Sequence, residues 1–273
     1  MENKYVIVAE KVSKTYITEK EPVPAIKDFS FKIKEGEFVA IVGPSGCGKT
    51  TLLWGLTGLH PFSSGKALIM EEEIEKPRKD VGIIFQQSNL LPWRNLIDNI
   101  YFPLEIMGEK LDDYKEHVEG LIKSVGLDGF EKSYPKELSG GMQQRASIVR
   151  ALSDDPKILL MDEPFGSLDA YTRDEMDTLI LKIWEETKKT IVFVTHRIEE
   201  AVYLADTVYV MTPRPAINSE TFKIDLPRPR PEGITMDKMF FDIVAKIKRK
   251  IVEDVKNQKI AGEYESQAFS TIT

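Results

Sequence analysis

Apolar residues along this chain come in short unbroken runs separated by stretches of helical period, and the two kinds of pattern alternate. Residues 4–10 (Lys4-Tyr5-Val6-Ile7-Val8-Ala9-Glu10) predict a strand, with Lys11 to Tyr16 as its exit. Phe29-Ser30-Phe31-Lys32-Ile33-Lys34 alternates strictly, as a half-exposed strand does, and Glu35-Gly36-Glu37 supplies the turn. Phe38 to Val42, Gly65 to Met70 and Val81 to Phe85 predict three further strands; the unbroken apolar character of the last suits cover on both faces. From Asp98 to about Ser153 the period becomes helical. Ile100, Leu104 and Met107 share one face, and Tyr114, Val118, Leu121, Ile122 and Val125 the next, while a third helix follows Gly140-Gly141. Strand runs return at Lys157 to Met161 and Thr190 to Thr195, around an amphipathic helix over 172–187. Strands alternating with helices predict an α/β fold with a parallel sheet, interrupted by a mostly helical insertion at 87–153.

Prolines 213, 215, 227, 229 and 231 mark an extended edge segment and a boundary near residue 233. Beyond it, Met236, Met239, Phe240, Ile243, Val244, Ile247, Ile251 and Val255 recur at helical spacing. A terminal helix packed on its own domain accounts for them; a dimerisation or regulatory helix is the alternative, with a mobile tail over 262–273.

Composition narrows the class. The 273 residues carry 37 Lys and Arg against 44 Asp and Glu, a net charge of −7, which gives no global footprint for nucleic acid. One cysteine, Cys47, excludes an intrachain disulfide and points to a reducing compartment. No apolar run approaches the ~18 residues of a membrane span, and the first ten residues do not form a signal peptide. A cytoplasmic chain is expected, with any membrane role exercised through a partner.

The chemistry begins at Gly43-Pro44-Ser45-Gly46-Cys47-Gly48-Lys49-Thr50, which fits G-x-x-x-x-G-K-[ST] between a strand and a helix start. Glycines let successive N–H groups converge on one anion, and the helix N-terminus adds partial positive charge. Lys49 can reach β- and γ-phosphates, and the Thr50 hydroxyl can complete a magnesium shell. Cys47, inside the loop, reads as a small residue whose backbone matters more than its thiol. A second site is the end of Ile158-Leu159-Leu160-Met161-Asp162-Glu163, a buried strand delivering two carboxylates where ligands of open α/β sheets gather. Asp162 suits magnesium, and Glu163 suits polarising the water that attacks the γ-phosphate; a solvated acidic turn is the plain alternative. A third is Leu138-Ser139-Gly140-Gly141-Met142-Gln143-Gln144-Arg145, where a serine and two glycines at a helix start make an anion-binding terminus or an ordinary cap.

In combination and order these stretches resemble the nucleotide-binding subunits of ATP-binding-cassette transporters, over roughly residues 4–230. Leu138 to Arg145 resembles the family signature and 158–163 its acidic strand end. Gly166-Ser167-Leu168-Asp169 is similar to the D-loop, Gln86 to the Q-loop glutamine and His196 to the switch histidine, and Tyr16 stands where the family stacks an aromatic on adenine. The resemblance implies a P-loop NTPase core of mostly parallel sheet, with an antiparallel β-subdomain and an α-helical insertion. It implies a nucleotide-binding domain over 1–233, followed by a C-terminal helix and tail over 234–273. ATP and Mg2+ are the implied cofactors. The ATP contacts would come from Tyr16, Gly43 through Thr51, Ser139, Gly140, Gly141 and Asp169. The metal ligands would be Thr50, Gln86 and Asp162, and the catalytic set Glu163, His196, Gln86 and Lys49. Two copies would pair head to tail on ATP, at the cytoplasmic face of a membrane, beside separate permease chains and indirectly a solute-binding protein; no nucleic acid is expected.

Gln86-Gln87 with Leu91-Pro92-Trp93-Arg94, Asp169 to Arg173 and Glu199 to Asp206 are similar to the nitrate, sulfonate, taurine and bicarbonate importers. An exporter subunit, or a soluble cassette acting on nucleic acid or ribosomes, is the other expectation. Apolar residues within Ser88 to Leu96, beside the Q-loop, fit either a docking groove for a permease helix or core packing. Arg197 departs from that subfamily, which carries an acid after the switch histidine.

Overall fold

The computed structural model describes residues 4–231 and 233–270, with side chains through residue 260. Two compact units are formed, one by Met1–Lys76 with Val194–Thr273 and the other by Pro77–Phe193.

The first unit opens with β1 (Tyr5–Ile17), β2 (Pro22–Lys34), β3 (Phe38–Val42), α1 (Lys49–Thr57), β4 (Ser64–Ile69) and the two-residue β5 (Glu72–Glu73). An antiparallel sheet runs in the order β2-β1-β4-β5. β1 is longer than its sequence predicts. The consecutive polar pair Glu10-Lys11 is a bulge rather than an end. Lys11 takes φ +49°, the register with β2 slips between Ala9 and Val12, and the Lys11 N–H turns to the Ser30 hydroxyl at 2.9 Å. The strand then continues and carries Tyr16 with it.

The second unit holds β6 (Val81–Ile84), α2 (Leu96–Met107), α3 (Leu111–Ser124), α4 (Gly140–Leu152), β7 (Ile158–Asp162) and α5 (Ala170–Thr187). β6 and β7 pair in parallel, Ile84 opposite Met161, and every residue of β7 is buried. Of the predicted helical faces, Ile100 and Leu104 on α2, Val118 and Ile122 on α3 and Val125 just after it are buried, while Met107, Tyr114 and Leu121 are half-buried. Asn99, fully buried, accepts the Leu91 N–H at 2.7 Å and donates to the carbonyls of Leu91, Arg94 and Asn95, fixing the loop before α2.

The chain returns to the first unit within β8 (Thr190–Thr195), then forms α6 (Ile198–Leu204), β9 (Thr207–Met211), β10 (Asn218–Lys223) and α7 (Lys238–Ser270). β9 runs parallel to β3, Tyr209 opposite Ile41, and antiparallel to β10. Pattern alone passes over β9 and β10. Thr207-Val208-Tyr209-Val210-Met211 is wholly buried although two of its five residues carry hydroxyls, and Tyr209 satisfies its own by donating to the Lys32 carbonyl at 2.9 Å. The prolines after 210 include the connection between these strands. α7 buries Phe240, Val244 and Ile247 and packs on α6, β9 and β10. Met236, expected on that face, is 84% exposed because it closes a short 3-10 turn ahead of the helix, and Met239, in the first turn of α7, is 45% exposed. The tail expected to be mobile from 262 is helix to Ser270, and its last three positions lie outside the described residues.

Candidate active site

In the first unit the phosphate loop joins β3 to α1. Gly46 and Gly48 take φ +71° and +121°, a region that admits glycine with least strain. Ser45 and Gly46 are exposed at the crest, while Gly43, Cys47, Gly48 and Lys49 are buried and Pro44, Thr50 and Thr51 half-buried. The Lys49 ammonium, only 5% exposed, donates to the carbonyls of Gly43 and Pro44 at 3.2 Å each, so the cation is held inside the loop it serves. Burial pushes the Cys47 thiol above its usual range, which keeps it a packing residue. Tyr16 reaches α1 through its hydroxyl, which donates to Thr51 Oγ1 at 3.3 Å, and the Lys14 ammonium stands 5.4 Å from its ring centroid. His196 follows β8 and is exposed. The turn that presents it is tied by Thr195, whose hydroxyl donates to the buried Glu200 carboxylate and accepts the Arg197 N–H at 3.0 Å. Arg197 is the half-buried cap of α6; nothing in the structure explains why a base stands there.

In the second unit Asp162 ends β7 at 7% exposure, and Glu163 follows it with φ +44°. A left-handed glutamate is strained, and such strain collects where function demands a side chain in one direction. The Gly166 N–H closes the turn on the Glu163 carbonyl at 3.1 Å. A β-carbon on Gly166 would meet Gln86 Nε2 and the Glu163 carbonyl oxygen, each at 3.4 Å, so the structure brings Gln86, Glu163 and the 166–169 turn together. Asp169 caps α5. The Thr172 N–H, then the Thr172 hydroxyl, hold its carboxyl below the usual carboxylate range. Arg173 secures the same turn from α5 through the carbonyls of Phe165 and Leu168.

Ser139 caps α4, accepting the Met142 N–H at 3.2 Å, and stays exposed with Gly140. Gly141 has no room for a side chain: a β-carbon there would lie 2.8 Å from Thr172 Cγ2. The helix start and the Asp169 turn therefore pack directly on each other. Gln143 of the 138–145 stretch and Arg150, which pattern does not single out, bind α4 to the segment after Gln86. Arg150 donates to the carbonyls of Ser88 and Asn89 at 2.7 and 2.8 Å, and Gln143 accepts from the Ser88 hydroxyl at 3.3 Å. Beyond that segment opens an apolar groove of about 620 Å³, walled by Phe85, Leu91, Phe102, Pro103, Ile106 and Met107. Of the apolar residues that fit either docking or core packing, Leu91 lines this groove and Trp93 stands 71% exposed, whereas Leu96 is core.

Residues 26–166 match the family described as ABC transporter. The chain is 48% identical over 221 residues to an uncharacterized ABC transporter ATP-binding protein of Methanocaldococcus jannaschii, covering 81% of this chain and 83% of that one. It is 44% identical to the aliphatic sulfonates import ATP-binding protein SsuB of Bacillus cereus, covering 80% and 86%. To the taurine import ATP-binding protein TauB of Escherichia coli it is 43% identical, covering 75% and 80%. Among solved structures it is similar to the dimeric post-hydrolysis state of the ATP-binding cassette MJ0796 bound to ADP and phosphate, with TM-score 0.70, 32% identity, and coverage of 80% and 98%. A glycine loop around a buried lysine, an acidic pair ending a buried strand and a serine-glycine helix start thus occur here in a chain that belongs to the ABC transporter family, as an ATP-binding ATPase.

Proposed function

We propose that the chain is the ATP-hydrolysing subunit of an importer, driving uptake of a small anion of the sulfonate, taurine, nitrate or bicarbonate kind through separate permease chains. Residues 1–233 form its nucleotide-binding domain, including the helical insertion over 87–153, and 234–273 an appended helix. Two copies close head to tail, each ATP lying between Gly43 to Thr51 of one copy and Ser139, Gly140 and Gly141 of the other, with Tyr16 against the adenine and Asp169 at the seam. Lys49 binds the β- and γ-phosphates. Glu163 orients and polarises the attacking water, and His196 and Gln86 hold that water and the γ-phosphate in line. Thr50, Gln86 and Asp162 all offer oxygen, as a hard divalent cation requires, and would hold magnesium, which would supply positive charge against the phosphates.

The observation that carries this reading is the placement of Glu163. It follows the buried strand that delivers Asp162, and its backbone is held in a strained conformation. Glu163→Gln keeps the shape and removes the charge. It is expected to lower ATP turnover about 10²-fold or more, to keep nucleotide affinity, and to accumulate an ATP-held dimer in sedimentation. Near-normal turnover would remove Glu163 from its role.

A membrane partner is favoured over nucleic acid by the apolar groove beside the Q-loop and by the net charge of −7. Import is favoured by the likeness to sulfonate and taurine import subunits. No helix among the described residues is long and apolar enough to cross a membrane. By the same likeness to import subunits, the chain would sit on the cytoplasmic face and receive its solute-binding partner's signal through the permease. Reconstitution with candidate permeases, reading sulfonate-stimulated ATPase, tests the substrate class.

A further inference from the structure

The end of β9 and the connection that follows it are fastened to the phosphate loop directly, and to β2, which lies against the same loop. A β-carbon on Gly43 would stand 2.8 Å from the Met211 carbonyl oxygen. Arg214 Nε donates to the Gly46 carbonyl at 2.9 Å. The Ala216 N–H donates to the Ala25 carbonyl, and the Lys27 N–H to that of Ala216, both at 2.9 Å; a β-carbon on Gly48 would meet the same Ala25 oxygen at 3.1 Å. From its other side the connection is held by α7, whose Gln258 amide donates to the Arg214 carbonyl.

Gly46 is where this matters most. It is exposed, takes φ +71°, and a β-carbon there would meet no atom within 4 Å, so packing does not orient its peptide. The guanidinium does. A trans peptide sets C=O and N–H on opposite sides, so pulling the Gly46 carbonyl outward aims the Cys47 N–H across the loop, where it meets the Pro44 carbonyl at 3.3 Å. That is a long bond to a neutral acceptor. A phosphate oxygen is a stronger one. The guanidinium also brings a permanent positive charge to the rim of an anion site.

We propose that Arg214 is a positioning residue for the triphosphate, presetting the Gly46–Cys47 peptide for phosphate, and that α7 acts on nucleotide affinity through the Gln258–Arg214 bond. This rests on Gly43 to Thr51 being the phosphate site. The test titrates a fluorescent ATP analogue and measures steady-state ATPase on the full chain, for wild type, Arg214→Met, Arg214→Lys, Gln258→Met, Arg214→Met with Gln258→Met, and Lys49→Ala. Arg214→Met should raise Kd and KM together by about five- to tenfold, the scale of one charged hydrogen bond at an exposed site, with kcat within about twofold. Arg214→Lys, which keeps a charged donor, should recover most of the loss. Gln258→Met should raise Kd about twofold alone and add nothing to Arg214→Met, as expected of residues acting in series. An unchanged Kd in Arg214→Met, a lysine variant as weak as the methionine one, or additive effects in the double variant would overturn the proposal. Lys49→Ala separates the two readings. Binding lost there but kept in Arg214→Met defeats only the role of Arg214, while binding kept in Lys49→Ala defeats the phosphate site itself.

Discussion

At φ +44° the β-carbon of Glu163 crowds the following carbonyl, a cost of about 1–2 kcal/mol that a glycine would not bear. The turn it begins is closed by backbone, through the Gly166 N–H. Glu163→Gly should therefore leave the melting temperature level or raise it while turnover collapses. Differential scanning calorimetry beside an ATPase assay reads both, and a melting temperature lowered by several degrees would mean the side chain is structural. Residues of this kind were legible in the sequence because their chemistry is contiguous: the loop at 43–50, the strand end at 158–163 and the helix start at 138–145 each carry their own pattern. Arg214 was not legible. It lies 168 positions from the Gly46 carbonyl it binds, and only the β9–β10 connection brings the two together. Arg150 is hidden similarly, one of two bases on α4, and only the carbonyls of Ser88 and Asn89 show its task.

Among elements, the seam where β2 ends and β3 begins is tied to β9 and β10 by one carboxylate. Burial pushes the Glu37 carboxyl up, but the Thr207 hydroxyl, the Lys34 N–H at 2.9 Å and the Lys223 ammonium at 3.1 Å outweigh it and hold it below the usual range. A depressed folded pKa stabilises above the unfolded value, about 4.3, and the contribution is lost as pH falls through the folded one. Glu37→Gln should cost about 1 kcal/mol near neutrality, with the gap to wild type closing below pH ~4. Urea melts at both pH values measure it; a gap that persists in acid would assign the loss to packing. These strands also show why element reading stopped where it did. The alternation of β2 and the unbroken apolar run of β3 declare themselves. β1 carries a bulge that imitates an end, and β9 mixes hydroxyls into a fully buried strand. The α2 and α3 faces were readable because burial at helical period leaves no second interpretation.

For the molecule as a whole, ATP binding matters to transport only if another chain feels it, and the groove beside the Q-loop offers such a chain apolar surface. Its walls come from β6, the loop after Gln86, α2 and α4, scattered over 77–154, so of the stretch Ser88 to Leu96, which pattern offers for docking or for core packing, only Asn89 and Leu91 line it. Ile106 lines the groove yet is 69% exposed, an arrangement that suits a side chain covered by a partner. Burying it would contribute about 1.5–3 kcal/mol. A carboxylate in its place would carry its desolvation cost into that contact. Ile106→Glu should thus weaken association with permease-containing membranes about a hundredfold or more, while the isolated chain still titrates with ATP as wild type does. Flotation of the purified chain with such membranes, run beside the nucleotide titration, distinguishes the outcomes. Binding to membranes unchanged by the carboxylate would mean the permease sits elsewhere, and nucleotide affinity lost with it would mean the groove serves the fold of the second unit instead.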